Sequence, residues 1–371
     1  MQFHAASTQM AAALNTVIRV IQPQNTLAIA TGVQCEADAD TLRLSATDLS
    51  HHLTAVIPAT VTEPGVVVLS AQTFHALIRR LPTPSCTVTT TSSETRATVR
   101  YGRNTAALQS FGDQMLPDFS PMPQDAATLT LPPDTLPRLT RELLFACSSD
   151  DTRPILKGVS VTWQDNQVIA AATDGSRLSR AVLTLSEYSV AAPAFSAVFS
   201  PKALAEAARL NHEEALTLRW TANLVEFATA TVSLRARLLV GAYPDYERII
   251  PADYDTSCVL PLETLRGAIE RMQVLSDLRT VTPLAVTVNA GTLSLATENA
   301  AIGQAQETLE CTTMGPDFAA TFNPAYLTQA LKSFDSEDIL WEFSGVQAPA
   351  RFRNPADPSY AHIVLPLRQL A

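Results

Sequence analysis

The chain has 371 residues, of which 46% are hydrophobic and 17% are charged, and its formal net charge is −10. This length predicts two or three domains, because a domain usually has about 100–200 residues. The apolar content is sufficient for buried cores and excludes a disordered chain. The longest apolar runs, such as 10–14, are far shorter than the ~20 residues of a membrane-spanning helix. Residues 1–4 do not lead from a basic into an apolar segment, so we expect no secretion signal, a cytoplasmic protein and no membrane partner.

Cysteine and histidine patterns do not favour a metal site. The five cysteines (Cys35, Cys86, Cys147, Cys258 and Cys311) are widely spaced, and the sequence has no C-x-x-C or H-x-x-x-H motif. We interpret the cysteines as small buried hydrophobes in a reducing compartment. Gly-rich phosphate-binding loops are missing too, and we predict no cofactor and no metal.

The first third of the chain predicts a strand, a helix, more strands, a second helix and further strands. Apolar residues at 10, 14, 17, 18 and 21 have the spacing of a helix with one buried face. Ser70 is a preferred N-cap for the second helix, because its hydroxyl can accept a hydrogen bond from a free backbone N–H. In chain order the predicted elements are a strand at 2–6, a helix at 8–22, strands at 41–45 and 66–69, a helix at 71–81 and β-rich sequence at 87–108.

The other two thirds repeat that order. Their second helices follow Ser200-Pro201 and Asn323-Pro324, and a proline at the first helical position loses no hydrogen bond. The central third predicts a strand at 127–131, a helix at 134–148, strands at 167–171 and 197–199, a helix at 201–211 and β-rich sequence at 216–239. The last third predicts a strand at 258–260, a helix at 262–276, strands at 291–295 and 320–322, a helix at 324–334 and β-rich sequence at 339–353.

A short motif marks the repeat. Ala-Thr-Asp at 46–48 and 172–174 and Ala-Thr-Glu at 296–298 each follow an alternating strand, and successive copies are 126 and 124 residues apart. We therefore predict an α+β fold of three tandem, structurally similar domains, each with two helices packed on mostly antiparallel sheet. The predicted domains are 1–124 (N-terminal), 125–252 (central) and 253–371 (C-terminal), with connections at 117–123 and 251–255.

The helices are the basic part of an acidic protein. The six helical spans carry ten basic and five acidic side chains, whereas the rest of the chain carries 16 basic and 31 acidic ones. For any single helix, an ordinary solvent-exposed face is enough to explain its basic residues. Their recurrence over six helices favours a surface that contacts a polyanion without reading its sequence. The predicted DNA-facing residues are Arg19, Arg79, Arg80, Arg138, Arg141, Lys202, Arg209, Arg266, Arg271 and Lys332.

Several longer motifs resemble those of a known family over the full chain. They are Asp151-x-Arg153-x-x-Leu156-x-Gly158, Ala172-Thr173-Asp174-Gly175-x-Arg177-Leu178, Gly241-x-x-Pro244-Asp245-Tyr246-x-Arg248-x-x-Pro251 and Ile363-Val364-Leu365-Pro366-Leu367-Arg368. In this order and spacing they resemble the bacterial sliding clamp, the beta subunit of DNA polymerase III. The resemblance implies a head-to-tail homodimer that closes a ring of six domains around duplex DNA. It also implies a non-catalytic processivity factor, which binds the DNA polymerase III catalytic subunit, the clamp loader and other proteins with a clamp-binding motif.

The resemblance further implies a hydrophobic pocket for partner peptides between the second and third domains. An apolar groove with polar rims suits peptides anchored by Leu or Phe. Alternatively, the run 363–367 is a last core strand, and Arg177 and Arg248 form structural ion pairs. The matching positions are Leu156, Thr173, Gly175, Ser176 (His in some relatives), Arg177, Leu178, Pro244, Arg248, Ile249, Asn323, Tyr326, Val346, Ile363, Val364, Leu365, Pro366 and Leu367.

The dimer contact implied by the resemblance joins the edge strand of the first domain to the first helix of the third. The matching residues are Ala106 and Leu108 on one side and Val274 and Leu275 on the other. Relatives often carry a larger apolar residue at the position of Ala106. The tail Gln369-Leu370-Ala371 extends past the usual ending, and the segment 24–29 lacks the charge that many clamps carry there.

Two other functions fit parts of the sequence. Asp174 in Thr-Asp-Gly could be the carboxylate of a phosphatase-like hydrolase, but the sequence has no G-x-S-x-G motif to complete such a site. A scaffold that binds peptides but never DNA is the nearer alternative. We predict no catalytic residue.

Overall fold

The computed structural model describes residues 1–22, 26–90, 95–185, 193–210, 215–275 and 282–367. The predictions that fall on residues 24, 25, 211, 276 and 368–371, including the tail Gln369-Leu370-Ala371, lie outside these residues. Within them, no helix is both long and apolar enough to cross a membrane. The α-helices are α1 Ser7–Val17, α2 Ala71–Ile78, α3 Thr135–Leu143, α4 Pro201–Leu210, α5 Leu262–Gln273 and α6 Pro324–Leu331.

The predicted α+β class is confirmed, and each third of the chain supplies two α-helices and several antiparallel strands. The strands are β1 Gln2–Ala6, β2 Gly32–Asp38, β3 Thr41–Thr47, β4 His51–Pro58, β5 Thr60–Glu63, β6 Gly65–Ser70, β7 Ser85–Thr90, β8 Arg96–Tyr101, β9 Asn104–Gln109, β10 Ala127–Leu131, β11 Val159–Gln164, β12 Gln167–Thr173, β13 Arg177–Thr184, β14 Phe195–Phe199, β15 Leu216–Trp220, β16 Leu224–Ala228, β17 Val232–Arg237, β18 Thr256–Pro261, β19 Leu284–Asn289, β20 Thr292–Asn299, β21 Gly303–Glu310, β22 Thr312–Met314, β23 Phe318–Phe322, β24 Asp338–Phe343, β25 Ala350–Arg353 and β26 Tyr360–Val364.

All six predicted helices are present, but the α-helices end before the predicted limits. After α1 and α3 the chain tightens into one 3₁₀ turn, at Ile18–Val20 and Leu144–Ala146, as helix ends often do. Asn323 caps α6 as predicted, since its Oδ1 accepts a hydrogen bond from Ala325 N at 3.0 Å. The predicted cap at Ser70 is wrong: its side chain makes no capping bond to α2, and its hydroxyl lies 3.2 Å from Thr73 Oγ1.

The described residues form two compact units, 1–136 with 202–238, and 137–185 with 193–201 and 239–367. The first unit holds a five-stranded sheet, β5-β1-β7-β8-β9, and an eight-stranded sheet, β10-β15-β16-β17-β4-β3-β2-β6. Phe3, Met10, Leu14 and Phe74 are fully buried in its core. The irregular segment 110–126 follows β9, and it buries Phe119 and Met122 against Leu224.

The second unit holds a nine-stranded sheet, β14-β11-β12-β13-β26-β25-β24-β18-β22, and a four-stranded sheet, β21-β20-β19-β23. The buried Trp341 organises an aromatic core, with its ring centroid 4.6 Å from Phe352, 4.9 Å from Phe343 and 5.6 Å from Phe322. In both units one long sheet joins strands of the central third to strands of an end third, through the pairs β17–β4 and β13–β26. The central third therefore has no sheet of its own.

Candidate partner-binding site

Three segments of the second unit meet where the sequence places the peptide pocket. Leu365 N, just after β26, donates a hydrogen bond to Ser176 O at 2.9 Å, in the turn between β12 and β13. Two residues later, Leu367 N donates to Thr321 O on β23 at 2.7 Å. The hydroxyl of Tyr243 accepts a hydrogen bond from Thr173 N at 3.2 Å, which holds the 241–250 segment against the end of β12. These bonds assemble one irregular surface from distant parts of the chain.

The floor of this surface is a small buried cluster. Ala171, Leu178 and Ile363 pack together on β12, β13 and β26, and the half-buried Tyr246 and Ile250 cover them. Several positions that the resemblance assigns to the pocket are buried, and the burial of Ile363 and Val364 on β26 agrees with the core-strand alternative. They support the surface from below and are 4% exposed or less: Leu156, Thr173, Leu178, Ile363 and Val364.

Apart from Arg177, the remaining predicted positions are accessible. Three apolar side chains stand out: Val346 is 61% exposed, Ile249 46% and Leu365 37%. The Arg248 guanidinium is also exposed, and its Nε contacts only the Asp245 carboxylate, at 2.6 Å, among the described ion pairs. The other members are exposed (Gly175, Ser176 and Pro244) or half-buried (Asn323, Tyr326, Pro366 and Leu367). The surface thus offers apolar side chains beside one accessible cation.

Arg177 belongs to the interior of the fold. Its side chain is 8% exposed, and its guanidinium carbon lies 4.4 Å from the ring centroid of Tyr326 and 5.4 Å from that of Phe145. Its Nε donates to Asp174 Oδ2 at 3.0 Å and its Nη2 to Phe145 O at 2.5 Å. Nη1 donates to Gln329 of α6. A guanidinium with all three nitrogens engaged holds the turn against α6, so the structural alternative is correct for Arg177.

His362 is a polar group beneath the floor that sequence reasoning missed. It is fully buried on β26, and its Nδ1 lies 2.8 Å from Ser179 Oγ. Its Nε2 is buried and has no hydrogen-bond partner in the described part of the chain. Burial, followed by the positive charge of Arg177, lowers its pKa from 6.5 to about 3. Its neighbours Ala361 and Ile363 are apolar and Ile363 is itself buried, so alternation along the strand carries no signal for a buried histidine between them.

Most of the predicted DNA-facing cations are engaged in ion pairs. Lys202 Nζ, for example, lies 2.8 Å from the buried Asp48 carboxylate and 2.7 Å from Val20 O. Arg79 and Arg80 at the end of α2 are exposed, and within the described ranges no carboxylate pairs with either. The other pairs are Arg19–Glu206, Arg138–Glu142, Arg141–Asp335, Arg209–Glu206, Arg266–Glu263, Arg271–Glu307 and Lys332–Glu270.

Family models match the chain in three consecutive pieces. Residues 1–119 match the N-terminal domain of the DNA polymerase III beta subunit, residues 130–245 its central domain and residues 247–368 its C-terminal domain. The chain belongs to the DNA polymerase III beta subunit family. The three tandem domains predicted from the repeat are confirmed by this succession.

Relatives of this beta subunit family align over nearly the whole chain. A beta sliding clamp of Staphylococcus aureus is 27% identical over 366 residues and one of Caulobacter vibrioides 28% over 367, each match covering 96% of both proteins. The crystal structure of the Streptococcus pyogenes beta subunit is 25% identical, with a TM-score of 0.93 and full coverage of both chains. That of the Bacillus subtilis sliding clamp is 24% identical, with a TM-score of 0.95, and covers 100% of this chain and 99% of that one.

Two sheet edges of this beta subunit family member lie near the predicted dimer residues. Ala106 and Leu108 are half-buried on β9, the edge of the five-stranded sheet. Val274 follows α5 and is 76% exposed, and Leu275 is half-buried. The edge strand β21, which sequence reasoning did not single out, packs against α5. An unpaired edge strand presents free backbone N–H and C=O groups, the usual means of pairing with another chain.

Proposed function

We propose that this protein is a sliding clamp, a homodimeric ring that encircles duplex DNA without reading its sequence. In this role it tethers the DNA polymerase III catalytic subunit, the clamp loader and other clamp-binding proteins, and so confers processivity. The observation that carries the proposal is the match to beta sliding clamps over 96% of both proteins. A closed ring holds DNA topologically, so it needs only weak contact with the phosphates.

Charge supports a head-to-tail closure between β9 of one copy and β21 of the other. Next to β9, three exposed arginines lie on β8 and in the following turn: Arg96, Arg100 and Arg103. On and beside β21 the acidic residues are Glu298, Glu307 and Glu310, of which Glu307 is paired with Arg271 of α5, so that Glu298 and Glu310 carry the negative charge of this edge. Opposite charges on the two edges favour the pairing of unlike edges and disfavour that of like edges. We propose that Ala106, Leu108, Val274 and Leu275 add apolar contacts at this interface.

We propose that the helices face the DNA and that their ion pairs keep the contact weak. A cation paired with a carboxylate gives little net attraction to a phosphate, because the pair is nearly neutral at a distance. Arg79 and Arg80 then provide the strongest phosphate contacts, since no described carboxylate pairs with them. This balance suits a ring that must move along its substrate.

We propose that partner peptides bind the accessible surface around Leu365, Ile249 and Val346, with Arg248 at its rim. Apolar anchors of a peptide would cover these side chains, while Leu178 and Ile363 keep the floor rigid. Exposed apolar groups beside a well-packed floor are typical of peptide-binding grooves.

We also propose that the protein is non-catalytic and cytoplasmic and that its domains are 1–124, 125–252 and 253–371. Asp174, the candidate carboxylate of the hydrolase alternative, has a structural role. Its Oδ1 accepts hydrogen bonds from Ser176 N at 2.8 Å and Arg177 N at 3.1 Å, and its Oδ2 pairs with Arg177. Among the described residues, no group of three or more His, Cys, Asp or Glu side chains could hold a metal ion.

Retention on DNA of different topology tests the clamp function. The protein is loaded on a nicked circle by the clamp loader, and the circle is then linearised. We expect retention on the circle and rapid loss after linearisation, because only a closed circle prevents sliding off. Leu108→Asp places a charge in the proposed dimer contact and should abolish retention on the circle too. Equal retention on both forms contradicts the clamp, and peptide binding without any DNA retention supports the scaffold alternative.

A matched pair of variants tests the peptide surface. Leu365→Asp should weaken binding of a fluorescent peptide with Leu and Phe anchors at least tenfold, since it puts a charge among the exposed apolar groups. Met314→Asp changes an equally apolar side chain, 72% exposed and outside the proposed surface, and should leave affinity unchanged. Unchanged affinity in Leu365→Asp, measured by fluorescence polarisation on a variant with the wild-type melting temperature, would rule out this surface.

A further inference from the structure

Two cysteines lie on neighbouring strands of the C-terminal domain. Cys258 is fully buried on β18, and Cys311 is half-buried immediately before β22. The antiparallel register places Cys258 opposite Thr313, two residues from Cys311, so all three side chains point to the same face of the sheet. Cys258 and Cys311 therefore lie diagonally across the strand pair on one face of the sheet, where their thiols can meet.

The local backbone holds this pair while leaving one partner some freedom. Cys311 N donates to Gly291 O at 3.1 Å, and Gly291 N donates to Thr313 Oγ1 at 2.9 Å. At the other end of the strand pair, Thr256 Oγ1 donates to Pro316 O at 2.7 Å. The register is therefore fixed, but β22 is a three-residue edge strand. A short edge strand can shift enough to bring a diagonal pair to the Cα–Cα separation of a disulfide, usually about 4.4–6.8 Å.

The two thiols have different chemical roles. The hydrogen bond from Cys258 lowers the pKa of Cys311, so Cys311 is the better thiolate and, being half-buried, the one that a small oxidant reaches. The same interaction, reinforced by burial, raises the pKa of Cys258. Cys258 is thus shielded from solvent and adjacent to the reactive sulfur, which is the arrangement of a resolving cysteine.

We propose that Cys258 and Cys311 form a dithiol site that a hydroperoxide oxidises to an intramolecular disulfide. The Cys311 thiolate sulfur attacks one peroxide oxygen, so that an S–O bond forms and the O–O bond breaks. With hydrogen peroxide, the leaving hydroxide takes a proton and departs as water. The Cys258 sulfur then attacks the Cys311 sulfenic acid, forming the S–S bond, and the Cys258 proton leaves with the displaced hydroxide as a second water. The disulfide would fasten β18 to the chain that leaves β21.

Peptide mass spectrometry tests this site on the full-length protein, independently of any clamp activity. After treatment with hydrogen peroxide and blocking of free thiols, we expect two of the five thiols to be lost, one linked peptide containing Cys258 and Cys311, and full reversal by dithiothreitol. Cys147 is the internal control, because it is also half-buried but burial raises its pKa to about 12, and it should stay reduced.

Two variants complete the test. Cys311→Ser should abolish the linked peptide and leave Cys258 reduced, because the buried thiol then has no partner. In the Cys258→Ala variant, peroxide should oxidise Cys311 to the sulfinic acid, because the second thiol is missing. If this variant folds poorly, the wild-type result alone decides the test. Sulfinic acid at Cys311 of the wild-type protein, a disulfide between two chains, or no loss of thiols would each overturn the proposal.

Discussion

His362 should make the second unit sensitive to acid. The side chain is fully buried on β26, and among the described residues only Ser179 Oγ lies within hydrogen-bond distance of its ring nitrogens. Arg177 lies nearby. Its pKa in the folded protein is about 3, against 6.5 for an ordinary histidine. An unfolded chain therefore takes up a proton at this residue over a pH range in which the folded chain does not.

The size of the effect follows from linkage. Between pH 6.5 and about 3 the unfolded state binds one more proton than the folded state, so the stability contributed by neutral His362 is complete at higher pH and is lost as the pH falls. Each pH unit below 6.5 costs ~1.4 kcal/mol. Acidification from about pH 7.5 to about pH 5 should thus reduce the free energy of unfolding by about 2 kcal/mol through this group.

Urea unfolding of the wild type and of His362→Gln at several pH values measures this contribution. Trp341 and Trp163 are buried in the same unit and report its unfolding by fluorescence. The packing cost of the substitution does not depend on pH, and the other titratable groups are common to both proteins. The difference in stability between them should therefore change by about 2 kcal/mol between pH 7.5 and pH 5. Parallel pH profiles would refute the reasoning.

Two further predictions use matched pairs of substitutions. Arg177→Ala should lower the free energy of unfolding by about 3 kcal/mol, because it removes a buried guanidinium that bonds to Asp174, Phe145 O and Gln329, whereas Arg248→Ala, at an exposed ion pair, should leave the melting temperature unchanged. Gly315→Ala should cost at least ~2 kcal/mol in urea unfolding, since its φ is +92° and its new Cβ would lie 1.9 Å from Asp255 O. Gly291 has a φ of +78°, but a Cβ added there would meet open space, so Gly291→Ala should lower the free energy of unfolding by only about 1 kcal/mol. Equal losses of stability at both glycines would contradict the steric argument.

The fold was predictable where a periodic pattern covers a whole element. Apolar spacing located the first helix of each third, because an amphipathic helix repeats its buried positions over several turns, and capping residues located the second. Single-residue predictions were less secure. Asn323 and Ser70 both have side chains suited to capping, but the hydroxyl of Ser70 lies beside that of Thr73 and makes no bond to the helix backbone. Which of two bonds a short side chain makes depends on local geometry that the sequence does not encode.

The sequence predicted which residues belong to the candidate site but not which of their side chains are accessible. The resemblance indicated Leu178, Ile363 and Leu365 together, yet only Leu365 is accessible. β26 lies between β13 and β25 in the interior of its sheet, so a run of apolar residues there does not reveal which side is covered. Arg177 was ambiguous for a related reason: a cation suits a peptide rim and a stacked ion pair equally well until its aromatic neighbours are known.

The sharing of strands between thirds of the chain determines which fragments of the protein can fold. The central third gives β10, β15, β16 and β17 to one sheet and β11 to β14 to another. Cut out alone, it would expose the long edges of β13 and β17, which in the intact chain are paired with β26 and β4. The repeating thirds of the sequence are therefore not the parts of this protein that are expected to fold on their own. Fragments that preserve a complete sheet should resist proteolysis, whereas those cut at the borders of the repeat should aggregate.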